Sequence, residues 1–159
     1  MDRKPPSELN GYHSEHIVQL LDSYQHWTGQ QLVQGNLGAM ERARLLFNAP
    51  FAVLSHTAED DPMFSYANLT AMNLFECDWS QITQMKSKSS AETPLQSDRN
   101  KLLNAVRKNG FSYSYTGVRI SRTGRRFKIS DAIVWNVLNK SGDFVGQAAT
   151  FATWEFLDP

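Results

Sequence analysis

The sequence predicts an α+β domain in which an antiparallel sheet is covered by helices on both faces. Two stretches near the N-terminus repeat apolar residues every three or four positions, the spacing of a helix with one buried face. The last third instead holds three β-rich runs separated by turn residues, the pattern of antiparallel hairpins. Two of these runs are apolar on both faces: Ile129, Ile133 and Trp135 against Ala132 and Val134, and Ala152 and Trp154 against Ala149 and Phe151. A sheet of that kind needs cover on both sides.

Residues 1–12 contain Pro5, Pro6, Asn10 and Gly11 and read as a disordered lead. Over 14–33, Ile17, Leu20, Leu21, Tyr24 and Trp27 form one apolar stripe, with Ser14 as N-cap. Gly35, Asn36 and Gly38 interrupt before a second helix, 39–47, with Met40, Ala43, Leu46 and Phe47 on one side. Together these form an N-terminal cap, 13–48, followed by a core, 49–157.

The core begins with a short buried strand, 51–56, an acidic turn, 59–62, and a second strand, 64–66. Asn68 opens a short helix, 69–75, and Asp78 another, 79–85. Residues 86–95 are polar and weakly patterned. Ser97 caps a helix over 98–109, with Leu102, Leu103 and Val106 inward, and Asn109-Gly110 stops it. Strands follow over 111–120, 127–138 and 144–156, with turns at Thr123-Gly124 and 139–142.

The chain's 159 residues suit one domain, spanning 13–159. Its 41% hydrophobic and 20% charged residues place it with globular rather than disordered chains. Cys77 is the single cysteine, so no internal disulfide can form, which fits a reducing compartment. The polar N-terminus lacks a signal-peptide pattern, and no run approaches the ~18 apolar residues of a membrane span. The expectation is a soluble, cytoplasmic protein.

Charge is balanced in sum but not in place: −6 over 1–84, +9 over 85–130 and −3 over 131–159. The basic segment admits an anionic ligand, a nucleic acid or an acidic partner, but it serves equally as a solvated surface that attracts the acidic segments within the fold, which is the favoured reading. With no overall basic excess, a nucleic-acid partner is not expected.

The segment Tyr66-Ala67-Asn68, ending a two-strand hairpin and opening a short helix, resembles the PAS fold. Longer stretches resemble the MEKHLA domain family, a PAS-related group found alone and at the C-terminus of plant class III homeodomain–leucine zipper proteins. They are 51–56, 61–68, Leu74-Phe75 with Trp79, 117–120, 124–127, Val134-Trp135-Asn136 and 146–149. The resemblance spans roughly 14–156; Met85-Lys86-Ser87 departs from the Pro-Ser pair expected there. It implies a five-stranded antiparallel PAS-like sheet with helices on one face, the N-terminal helices packing the other. It also implies a role in sensing or protein interaction. No homeodomain or zipper is present, so DNA binding does not carry over.

The candidate ligand contacts are Tyr66, Asn68, Phe75, Tyr113, Tyr115, Arg119, Gln147 and Phe151. Gln147 shares a face with Ala149 and Phe151, which the PAS resemblance directs toward a cavity, and a lone inward amide can orient a polar ligand or satisfy a neighbour. Arg119 alternates with Tyr113 and Tyr115, so it reaches inward for an anion or pairs with Asp131 or an N-terminal acid. The aromatic residues serve equally as core.

The light-sensing flavin subgroup of PAS domains carries its cysteine in a G-x-N-C-R-F helix. Residues 86–92 hold nothing similar, and Glu76 and Asp78 raise rather than lower the pKa of Cys77. The helix before Gly110 has no histidine, so haem lacks an axial ligand there. His13, His16, His26 and His56 have no companion set for a metal. Ser55 and His56, adjacent on a strand, face opposite ways and make no nucleophile–base pair. No enzyme activity is expected. Two readings stand: a sensory module binding a small organic molecule between sheet and helices, and a ligand-free interaction domain, homodimeric through Ile17, Leu20, Leu21, Tyr24 and Trp27. Either would act on a signalling partner that the sequence does not name.

Overall fold

A computed structural model describes residues 4–158. Its elements are α1 (Ser14–Thr28), α2 (Ala39–Phe47), β1 (Ala52–Thr57), β2 (Phe64–Ala67), α3 (Leu69–Phe75), α4 (Trp79–Ile82), α5 (Gln96–Asn109), β3 (Phe111–Ile120), β4 (Arg126–Leu138), β5 (Phe144–Phe151) and β6 (Thr153–Phe156). The sheet is antiparallel, in the order β2-β1-β5-β4-β3. The run expected as one last strand bends at Ala152, so β5 pairs with the second half of β4 and β6 with its first half.

The lead is not disordered over its described part. Glu8–His13 form a short 3-10 segment, Pro6 is buried, and the His13 Nε2 lies 2.7 Å from the Lys4 carbonyl oxygen. Left-handed backbone at Gly11, Tyr12 and His13 turns the chain directly into α1. Residues 1–3 of the lead, and Pro159, lie outside the described residues.

Helix α1 ends at Gly29, whose left-handed φ of 74° stops it five residues before the expected limit of 33. Its stripe lies on the sheet: Ile17 and Leu20 are fully buried, Leu21 and Tyr24 nearly so. Tyr24 meets Trp135 edge-on at 5.0 Å, and the Trp135 indole donates to the Leu20 carbonyl at 3.2 Å. The Trp27 indole donates to the Asn136 carbonyl at 2.9 Å, and Trp27 stacks on Phe111. The dimer interface expected of these residues is therefore corrected. Their apolar area is spent on the chain's own sheet, which had an apolar face to cover.

Gly110 makes the join between α5 and β3 beneath Trp27. Its φ is 102°, and a Cβ there would overlap the Trp27 indole ring. Gly110→Ala is expected to cost about 2–3 kcal/mol, combining backbone strain with a displaced indole. Urea denaturation reads it directly, and a loss under about 0.5 kcal/mol would show that this packing is soft.

Among the described residues the sheet holds four one-residue bulges, one of them at Val145 on β5, and the other three decide which side chains reach the cavity. Ser65 is the extra residue on β2, so Tyr66 pairs with Ser55 while Phe64 pairs with His56. Between Ser112↔Val134 and Tyr115↔Ala132 there is an extra residue on β3, and between Tyr115↔Ala132 and Gly117↔Ile129 an extra one on β4. Ser114 and Asp131 sit at these places with left-handed φ of 56° and 55°. Each bulge inverts the facing of the strand residues beyond it.

Candidate functional site

Opposite α1, the sheet, the end of α3, the 3-10 turn Ser87–Ser90 and α5 enclose a cavity. The polar stretch before α5 thus has a structural use: its turn brings Ser87 and Ser90 to the cavity wall. Leu54, Phe64, Phe75, Ile129 and Phe151 supply apolar wall. Ala149 lies on a strand paired on both sides yet keeps partial exposure, because it faces this space. The room open to a water-sized molecule is about 70 Å³. Pockets for drug-sized ligands run to roughly 300–1,000 Å³, so a haem or flavin does not fit this cavity as it stands. A more polar outer cleft of about 300 Å³ shares His56, Arg99, Leu103 and Gln147 with it and leads to the surface past Arg107 and the Glu59-Asp60 turn.

Of the eight residues expected at a ligand site, Phe75, Tyr115, Arg119, Gln147 and Phe151 meet at this cavity. Tyr66, Asn68 and Tyr113 do not, and each departure has a physical cause. The Ser65 bulge turns Tyr66 to the α1 face, fully buried between His16 and Trp79. The Ser114 bulge leaves Tyr113 on the outside, 54% exposed and edge-on to Phe111, while Tyr115 points inward. Asn68 is fully buried and its amide is wholly engaged. Its Oδ1 accepts from the Val53 and Ala71 N–H groups at 3.0 and 3.1 Å, and its Nδ2 donates to the Leu46 and Phe51 carbonyls at 3.0 and 2.8 Å.

Gln147 is a tether as well as wall. Its Nε2 donates to the Leu103 carbonyl at 3.0 Å and to the Asn136 Oδ1 at 3.2 Å. Asn136 in turn donates to the Val106 and Arg107 carbonyls, so two amides fasten α5 to the sheet. The Gln147 Oε1 faces the His56 Nε2 at 3.1 Å, which fixes the proton on Nε2 and leaves Nδ1 as a buried acceptor without a partner among the described residues. Burial holds the His56 pKa down at about 4 despite the bond to Gln147.

Arg99 is the charged residue among the cavity residues that the sequence reading missed. Only 4% exposed, it donates to the Ser87 hydroxyl, and at 3.3 Å to the Asn100 side chain. Burial, then the charge of Arg119, lowers its pKa to about 10. The signal was present: 99, 102, 103 and 106 stand at helical i, i+3, i+4, i+7 spacing, which puts one arginine on the inward stripe. Arg119 lies over the Tyr115 ring at 5.3 Å and donates to its hydroxyl at 3.2 Å. No carboxylate pairs with it among the described residues.

Other reactive groups are closed off. Cys77 is buried, its thiol donating to the Phe75 carbonyl at 3.4 Å, and burial pushes its pKa up. The Ser55 hydroxyl is shared between the His16 Nε2 and the Ser65 hydroxyl, with Ser55 2% exposed. Among the described residues, no group of three or more His, Cys, Asp or Glu could hold a metal, and no helix is long and apolar enough to cross a membrane.

The family model of the MEKHLA domain matches residues 14–156. The chain belongs to the MEKHLA domain family. This MEKHLA domain is 25% identical over 142 residues to homeobox-leucine zipper protein HOX9 of Oryza sativa subsp. indica, covering 87% of the chain and 16% of that protein. HOX10 of the same subspecies is 22% identical over 136 residues, covering 85% and 16%. The MEKHLA domain therefore spans about one-sixth of the length of these relatives. Its fold is the PAS fold. A PAS domain from Colwellia psychrerythraea superposes with a TM-score of 0.61 at 11% identity, covering 74% of this chain and 94% of that one. The fungal blue-light photoreceptor Vivid gives 0.54 at 12% identity, covering 85% and 89%.

Proposed function

We propose that the domain is a sensory module that binds a small organic molecule in the cavity between its sheet and α5. The observation that carries the reading is the cavity itself: partly apolar, fitted with polar groups, and continued to solvent by the outer cleft. A route for a signal is built into the same wall. The Asn136 side chain binds Gln147 and α5 on the cavity face, while its carbonyl accepts from the Trp27 indole of α1 on the other. A ligand that moves α5 therefore acts on α1 through one residue, provided it binds the two arrangements unequally. Pairing of copies through α1 is not part of this proposal, because that stripe is already covered.

The test is mass spectrometry of what the purified protein releases on denaturation, combined with a cavity-filling substitution, Ala149→Leu. One small molecule per chain is expected from the parent and none from the variant, with both folded by circular dichroism. Equal release from both would place the molecule elsewhere. No release, with no thermal shift from a metabolite library, would sink the reading.

A further inference from the structure

Arg99 is a buried cation whose hydrogen-bond partners are neutral, Ser87 and Asn100, and these engage two of its five N–H groups. Arg119 reaches the same cavity from β3, and its partners, the Tyr115 hydroxyl and the Val118 carbonyl, are neutral too. Neither guanidinium has a carboxylate within ion-pair distance among the described residues. Glu59 and Asp60 line the outer cleft that Arg99 also reaches, yet neither lies within ion-pair distance of it, and Asp61 and Glu92 are engaged by other cations. Asp61 lies 3.4 Å from Lys88 and 3.7 Å from Lys86, and Glu92 lies 2.6 Å from Arg126. Two like charges facing one apolar cavity repel each other, and burying a charge without a counter-charge is costly. An anion between them removes both costs.

We infer that the cavity takes a small organic carboxylate, its charge held by Arg99 and Arg119 and its short apolar body against Phe75, Ile129 and Phe151. This deepens the ligand-binding reading above and rests on it. A carboxylate suits the planar guanidinium fork, which can grip both oxygens at once. The 70 Å³ of room limits the body to a few heavy atoms, and the apolar wall disfavours a second charged or heavily hydroxylated end.

Titration calorimetry on the full chain with propionate and with propionamide, its neutral isostere, tests this. Propionate is expected to bind roughly tenfold or more tightly than propionamide, as for hydrogen bonds to a charged rather than neutral partner. Arg119→Gln and Arg99→Met should each bring the two probes to within about twofold of each other. Arg119 is partly exposed, so its variant keeps the test sound should Arg99→Met fold poorly. Equal binding of the two probes to the parent would overturn the carboxylate assignment while leaving a ligand cavity. A preference that survives both substitutions would overturn the two arginines. Inorganic phosphate binding more tightly than propionate would overturn the carboxylate class, as would no binding of either organic probe. The mass released on denaturation decides the broader reading independently of all four.

Discussion

Asn68→Leu is expected to remove about 4–6 kcal/mol of stability, a large share of what a domain of this size holds. The side chain is fully buried and joins three parts of the chain: the end of α2 through Leu46, the start of β1 through Phe51 and Val53, and the first turn of α3 through Ala71. Loss of the helix cap contributes about 1 kcal/mol, and each stranded buried backbone group adds roughly 1–3. Asn68→Asp separates the halves of the amide. It keeps the two accepted bonds but sets a carboxylate oxygen against the Leu46 and Phe51 carbonyls, so at pH 7 it should also be strongly destabilised. Urea denaturation of both variants supplies the measurement. A loss of less than about 1 kcal/mol for Asn68→Leu would mean that water or a shift of β1 replaces these bonds.

The second large effect is loss of stability in mild acid. His16 and His56 have folded-state pKa values lowered to about 4 from the ordinary 6.5, chiefly by burial, with His13 adding to it at His16 and Arg99 at His56. Both are neutral in the fold, whereas the unfolded chain takes up protons below pH 6.5. Stability is therefore complete above 6.5 and falls as the pH drops toward 4. Each histidine contributes a slope approaching 1.4 kcal/mol per pH unit, and the two together on the order of 5 kcal/mol by pH 4. Glu76 and Asp78 have pKa values lowered by their hydrogen bonds, from 4.5 and 3.8, so their own loss begins only below about pH 4.5. The window from 6.5 to 4.5 thus belongs to the histidines. Urea midpoints across it should flatten stepwise in His56→Gln and His16→Gln, which keep a donor near the Nε2 position; curves parallel to the parent would refute the assignment.

The order of elements and the need to cover both sheet faces were readable from periodicity, because side-chain spacing follows directly from helix and strand geometry. The cavity was half readable. Phe75, Tyr115, Arg119, Gln147 and Phe151 reach it, whereas Tyr66 and Tyr113, expected beside them, face away because a bulge stands between each of them and the cavity-facing residue of its strand. Alternation counts residues and assumes none is extra. Ser65 and Ser114 are small polar residues with nothing in their identity to announce a bulge. Asn68 was recognised as the opening of α3, but its reach to Leu46 and Phe51 depends on where α2 ends in space. Arg99 could have been found from the inward stripe of α5 had a charged residue been admitted to that stripe. The turn bearing Ser87 and Ser90 carries no periodic pattern at all.

The paired bulges of β3 and β4 also bear on how that hairpin assembles. An unbroken antiparallel ladder can slide by two residues and still present the same side chains to each face. Here the extra residue on β3 is cancelled by one on β4 a few positions along, with Ser114 and Asp131 in left-handed backbone. Sliding the strands would set each irregularity against regular ladder and leave both left-handed residues without the slack they occupy. Misaligned hairpins are penalised twice over. From the Thr123-Gly124 turn outward, the strands have one alignment in which to close.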